Sequence, residues 1–190
     1  MPPKVKITKN DIIEKALELV RKSGVESLNA RSIAGALECS TQPVFSNFSG
    51  MTELNEAVNI AAYDSYFGFI ESELKSGKYP PYKAFGMAYI RFAKEERELF
   101  KMLFMCDRSG KDLTPTADFE KSVELIMNAN GLSREEASLF HLEMWACVHG
   151  IGTMLATSFL EPEWELISHV LSDVYQGLRL RFAEGRNGSN

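Results

Sequence analysis

Between Leu28 and Leu54 the chain gathers side chains that donate and accept hydrogen bonds on a short, apolar-pinned framework: Arg31, Ser40, Thr41, Gln42, Ser46, Asn47 and Thr52. The chemistry on offer is recognition, not bond making. Ile33, Ala34 and Leu37 form the buried stripe of one short helix, and Glu38-Cys39-Ser40 makes a turn. Ser40 is placed to cap a second short helix, with Pro43 in its first turn, where a missing N–H costs little. Val44, Phe45 and Phe48 are spaced to pin that helix to a small core, which leaves Thr41, Gln42, Ser46 and Asn47 facing outward. A short helix, a tight turn and a second short helix form the pattern of a helix-turn-helix, which can set its second helix in the major groove of DNA.

Other chemistries find little support. The sequence carries no phosphate loop, no paired metal-ligand motif and no nucleophile elbow. His141, His149 and His169 each lie on a helical pattern without ligand spacing, so neither a metal, a cofactor nor an enzyme is expected. Cys39, Cys106 and Cys147 are odd in number and widely spaced, which suits reduced thiols in a cytoplasmic protein better than a disulfide framework or zinc site. No apolar run reaches the length of a membrane span, and the first residues, MPPKVKITKND, lack the apolar centre of a secretory signal.

The elements that position these side chains follow from periodicity and caps, and the expected fold class is all-α. Thr8 with Asp11 three residues on opens a first helix, whose apolar face is Ile12, Ile13, Ala16, Leu17, Leu19 and Val20. Gly24 ends it, with Arg21 and Lys22 in the last turn, where the helix dipole favours cations. Asn29 is placed to cap the second helix. Beyond Ser49-Gly50 a long helix is expected over about 51–75, broken by Gly77 and Pro80-Pro81. Further helices are expected at about 82–94, 116–130, 134–159 and 163–184, with an apolar segment at Leu99–Met105 and a polar loop at Asp107–Pro115. The expected organisation is 1–55 as a DNA-binding domain, 56–185 as a helical ligand-binding and dimerisation domain, and 186–190 as a disordered tail.

Net charge is −5 over 190 residues, which taken alone argues against a polyanionic partner. The distribution is uneven. Residues 1–55 hold seven lysines and arginines against six acids, while the remainder holds 14 against 20. The basic bias sits in the first nine residues, at Lys4, Lys6 and Lys9.

With these residues in place, positions 8–56 resemble the TetR family of bacterial transcriptional repressors. The resemblance rests on the amphipathic first helix, the small apolar second helix and a third ending in Val44-Phe45-Ser46-Asn47-Phe48. In that family the last stretch commonly reads Leu-Tyr-x-His-Phe, so Phe45 stands where a phosphate-contacting Tyr is usual and Asn47 where His is usual. Met51 stands where a Lys is frequent. Trp145, His149 and Gly150 also resemble a C-terminal subgroup of the family named for its Trp-His-Gly signature.

The resemblance implies a homodimer that reads a palindromic DNA operator and is released by a small, largely apolar effector. Thr41, Gln42, Ser46 and Asn47 would then face base edges, where Gln and Asn can pair bidentately with adenine. Arg31 would reach a phosphate or a guanine edge. Lys4, Lys6, Lys9, Ser40 and Thr52 would lie along the backbone, and Phe45 would count among the DNA-binding residues without the phosphate-contacting hydroxyl; simple helix capping is the equal rival for Ser40, Thr41 and Thr52. Phe85, Tyr89, Phe92, Phe100, Phe104, Met105, Phe119, Met144, Trp145 and His149 would line an apolar pocket, with ordinary core packing as the rival reading of each. The last two helices would pair across the dimer through Leu155, Phe159, Val170, Val174 and Leu178, again with core packing as rival. Effector binding would favour a dimer whose recognition helices no longer match the half-site spacing. Two other readings remain: a thiol redox sensor using Cys106 or Cys147, and a helical interaction protein with weakened DNA binding.

Overall fold

The computed structural model describes residues 7–107, 109 and 117–187, the side chains of 117, 118, 186 and 187 excepted. Every regular element among them is helical: α1 Lys9–Ser23, a single 3-10 turn Val25–Ser27, α2 Ala30–Ala36, α3 Gln42–Asn47, α4 Met51–Ser76, α5 Pro81–Glu95, α6 Arg97–Phe104, α7 Ala117–Asn130, α8 Arg134–Ala156 and α9 Trp164–Asn187. No described helix is long and apolar enough to cross a membrane.

Local chemistry sets most boundaries. At α1 the Asp11 N–H donates to Thr8 Oγ1 at 3.2 Å, while the Thr8 N–H donates to Asp11 Oδ2 at 2.7 Å, satisfying two otherwise orphan donors. The Thr8 N–H and the Thr8 hydroxyl, both donating to Asp11 Oδ2, hold the Asp11 carboxyl below its ordinary value. Gly24 stops the helix with φ +76°, a conformation that costs a side-chain-bearing residue, and its N–H donates to the Val20 carbonyl. Asn29 accepts from the Ser32 N–H and opens α2. Ser133 and Glu136 form a second reciprocal box at the start of α8.

The chain divides into two compact units. The first holds the described residues through Gly68 together with Glu95–Cys106; the second holds Phe69–Lys94 and the described residues from Asp107 onward. The division falls inside α4, and α6 belongs with the N-terminal helices. The reason is packing. Leu99, Phe100, Met102 and Leu103 of α6 are buried, and α6 lies on α1. Arg21 Nε donates to both carboxylate oxygens of Glu96, at 2.9 and 3.1 Å.

In the second unit α5 is buried on nearly every side, from Ala84 to Ala93. Gly86 permits this: a Cβ there would lie 3.3 Å from Val148 of α8 and 3.5 Å from Leu171 of α9. Polar anchors add register. Lys83 Nζ donates to the Ser168 carbonyl and Ser172 Oγ of α9. The Tyr82 and Tyr89 hydroxyls meet Nδ1 of His141 and of His149 on α8, at 3.0 and 2.8 Å. α8 ends at Ala156, three residues before the expected 159, because Thr157 Oγ1 turns back to the Thr153 carbonyl and Ser158 adopts φ +55°. α9 extends to Asn187, past the expected 184 and into the stretch expected to be disordered; 188–190 lie outside the described residues, as does most of the 107–115 loop.

Candidate functional site

The residues read as recognition chemistry lie in the first unit, on α2, α3 and the segments flanking them. Ile33, Ala34 and Val44 are buried, and so is Phe48 just beyond α3. These four fasten two short helices that are too small to hold themselves. The connection between them carries one left-handed residue, Glu38 at φ +51°, and closes with the Cys39 N–H donating to the Ala34 carbonyl at 2.9 Å.

Opposite the buried positions, Gln42, Phe45 and Ser46 are exposed at i, i+3 and i+4. Phe45 does not pin α3 to the core as its spacing suggested. It is 52% exposed, while Val44 and Phe48 are buried. Ser46 Oγ donates to the Gln42 carbonyl, which leaves the Gln42 side chain as the longest polar group on this face. Asn47 is not outward-facing: its Nδ2 donates to the Pro43 carbonyl at 2.9 Å and the Ile7 carbonyl at 3.4 Å, and the residue is half-buried. The N-cap of α3 is Thr41 rather than Ser40, and its side chain makes no capping bond. Ser40, Thr52 and Arg31 are exposed.

Lys9 is committed elsewhere. Its ammonium donates to Glu53 Oε1 at 2.7 Å and sits 4.6 Å from the centre of the Phe48 ring, so it braces α1 against the start of α4. Glu53 Oε2 in turn accepts the Ser49 N–H and hydroxyl, at 2.8 and 2.9 Å. Lys9 and Ser49 together hold the Glu53 carboxyl down at about 2. Sequence reasoning missed Glu53; its signal was an acid in the first turn of α4, four residues after a serine. Lys4 and Lys6 lie outside the described residues.

The chain matches no protein-family model and no curated protein.

The residues read as a pocket are divided. Phe100, Phe104 and Met105 belong to the first unit, where Phe104 meets Tyr63 and Tyr66 edge-on. Phe85, Tyr89, Phe92 and Met144 are buried in the second, Phe92 against Phe69. Phe119 lies edge-on to His141, which burial lowers to about 4. Tyr89, Trp145 and His149 form one contiguous polar-aromatic group. Trp145 is 43% exposed and stacks on the His149 ring at 4.8 Å and 16°, while Tyr89 meets the same imidazole, lowered in pKa by burial.

Of the expected interface residues, Leu155 is fully buried within its own unit and is core. Val170, Val174 and Leu178 are half-buried on α9, and Phe159 is 81% exposed just past α8. Sequence reasoning missed Leu139 and Leu142 of α8 and Leu166 and Leu180 of α9, all large, apolar and exposed. Among the described residues no group of three or more His, Cys, Asp or Glu is placed to hold a metal.

Proposed function

We propose that this chain is a DNA-binding transcriptional regulator of the TetR type, working as a homodimeric repressor released by a small apolar effector. The observation that carries the reading is the exposed Gln42–Phe45–Ser46 face on a short helix held from behind by Val44 and Phe48. In this reading α2 and α3 are a helix-turn-helix and α3 enters the major groove. Gln42 supplies a paired donor and acceptor for a base edge, and Thr41 and Ser46 supply less selective contacts. Arg31, Ser40 and Thr52 reach phosphates.

A second copy is required to read two half-sites, and α8 and α9 supply the surface for it. Leu139, Leu142, Trp145, Leu166 and Leu180 are large, apolar and exposed on these two helices, and a second copy would cover them. Effector binding in the second unit shifts the dimer between states of different operator affinity, by as much as the effector's preference for one state. For thiol sensing, the exposed Cys106 is the better candidate, because burial raises the Cys147 pKa and disfavours its thiolate.

The test is selection of bound sequences from a random duplex library with the purified full chain near physiological salt. Recovery of a palindrome supports the reading. A folded, dimeric protein that enriches no sequence, with or without mild reductant, overturns it.

A further inference from the structure

Phe45 is the anomaly of the α3 surface. A phenylalanine ring without a polar atom stands half in water beside Gln42 and Ser46, while the apolar residues on either side, Val44 and Phe48, are buried. About half of the residue stays in water, and covering that half would recover free energy that the isolated chain forgoes.

Resting on the DNA-binding reading above, we propose that Phe45 packs on the C5-methyl of a thymine, so that Phe45 and Gln42 together select A·T pairs in each half-site. The chemistry of the two side chains fits one kind of base-pair edge. An amide one turn before the ring can accept from adenine N6 and donate to N7, and an apolar ring covers the methyl that thymine alone presents in the major groove. A phosphate and a guanine edge present acceptors that the ring cannot satisfy, and a cytosine edge presents an amino group and a C5–H but no methyl. Gln42 and Phe45 lie at i and i+3, so their side chains leave α3 in neighbouring directions and reach the same or adjacent base pairs.

The proposal is tested on the duplex enriched from the random library, resynthesised with each thymine in turn replaced by deoxyuridine. That change removes one methyl and leaves base pairing intact. With the unaltered chain, one thymine per half-site should lose affinity about three- to fivefold on replacement, the size expected for one methyl removed from apolar contact. Phe45→Ala should lower affinity for the thymine duplex by a similar or larger factor and erase the difference between thymine and deoxyuridine. Because Phe45 is exposed, the variant should fold, and a circular dichroism melt checks it.

If the duplex is enriched but no thymine responds to loss of its methyl, this assignment falls and the DNA-binding reading stands. If Phe45→Ala keeps the thymine preference, another residue contacts the methyl, and the assignment falls likewise. If nothing is enriched, both fall.

Discussion

At the scale of single residues, Gln42 and Asn47 have opposite prospects although both carry amides and their spacing suggested the same face. Gln42→Ala should cost about 1–3 kcal/mol on a selected duplex and much less on random sequence, measured by titration at fixed salt. Asn47 is tied to the Pro43 and Ile7 carbonyls. Asn47→Ala should therefore lower stability by about 1 kcal/mol in urea and weaken both duplexes alike; a loss confined to the selected duplex would return Asn47 to base reading. His141 gives a pH signature. Its folded value of about 4 lies below the ordinary 6.5, so between those limits the unfolded chain binds the proton that the folded chain refuses. Stability should fall as pH drops through that window, and denaturation of His141→Gln at pH 7 and pH 5 should show a smaller fall. His149 is shifted the same way and keeps part of the effect in that variant. An equal fall in both proteins would contradict the assignment.

At the scale of elements, the sequence is legible where a cap is written in it. Thr8-x-x-Asp11, Gly24 and Asn29 each mark a boundary the structure keeps, and the structure adds the Ser133-x-x-Glu136 box at the start of α8. Thr8→Ala and Ser133→Ala should each cost about 1 kcal/mol, read as a shift in the urea midpoint without a change in slope. The turn before α3 was harder to read. Ser40 and Thr41 are both good caps, and only the chain path decides that Thr41 precedes the helix. The same turn forces Glu38 to φ +51°, where a side chain is strained. Glu38→Gly should raise the midpoint of thermal unfolding and add up to about 1 kcal/mol. The early end of α8 was illegible for a similar reason: Thr157 and Ser158 do not forbid helix, and only their own backbone contacts stop it.

At the scale of the whole molecule, apolar periodicity and the Gly and Pro breaks pointed to helices after residue 77 but not to which apolar residues would be left in water. Leu155 and Leu142 read alike in sequence; the first is core and the second exposed. If the α8 and α9 surface joins two copies, Leu142→Glu with Trp145→Glu should sediment as a monomer and keep the circular dichroism of the parent. A dimer that survives both changes places the interface elsewhere. The residues proposed for one pocket were likewise indistinguishable by type, and three of them, Phe100, Phe104 and Met105, serve the first unit instead.

The return of α6 to α1 also fixes an order of events during synthesis. The first unit is not finished when Gly68 emerges, because Glu96, Leu99, Phe100 and Leu103 belong to it and come later. Phe69–Lys94, which belong to the second unit, leave the ribosome in between. At about 5–20 residues per second, the N-terminal helices wait several seconds with the α6-facing side of α1 in water. A nascent chain stalled at Gly68 should be readily cut by protease within α1, and one released past Cys106 should resist.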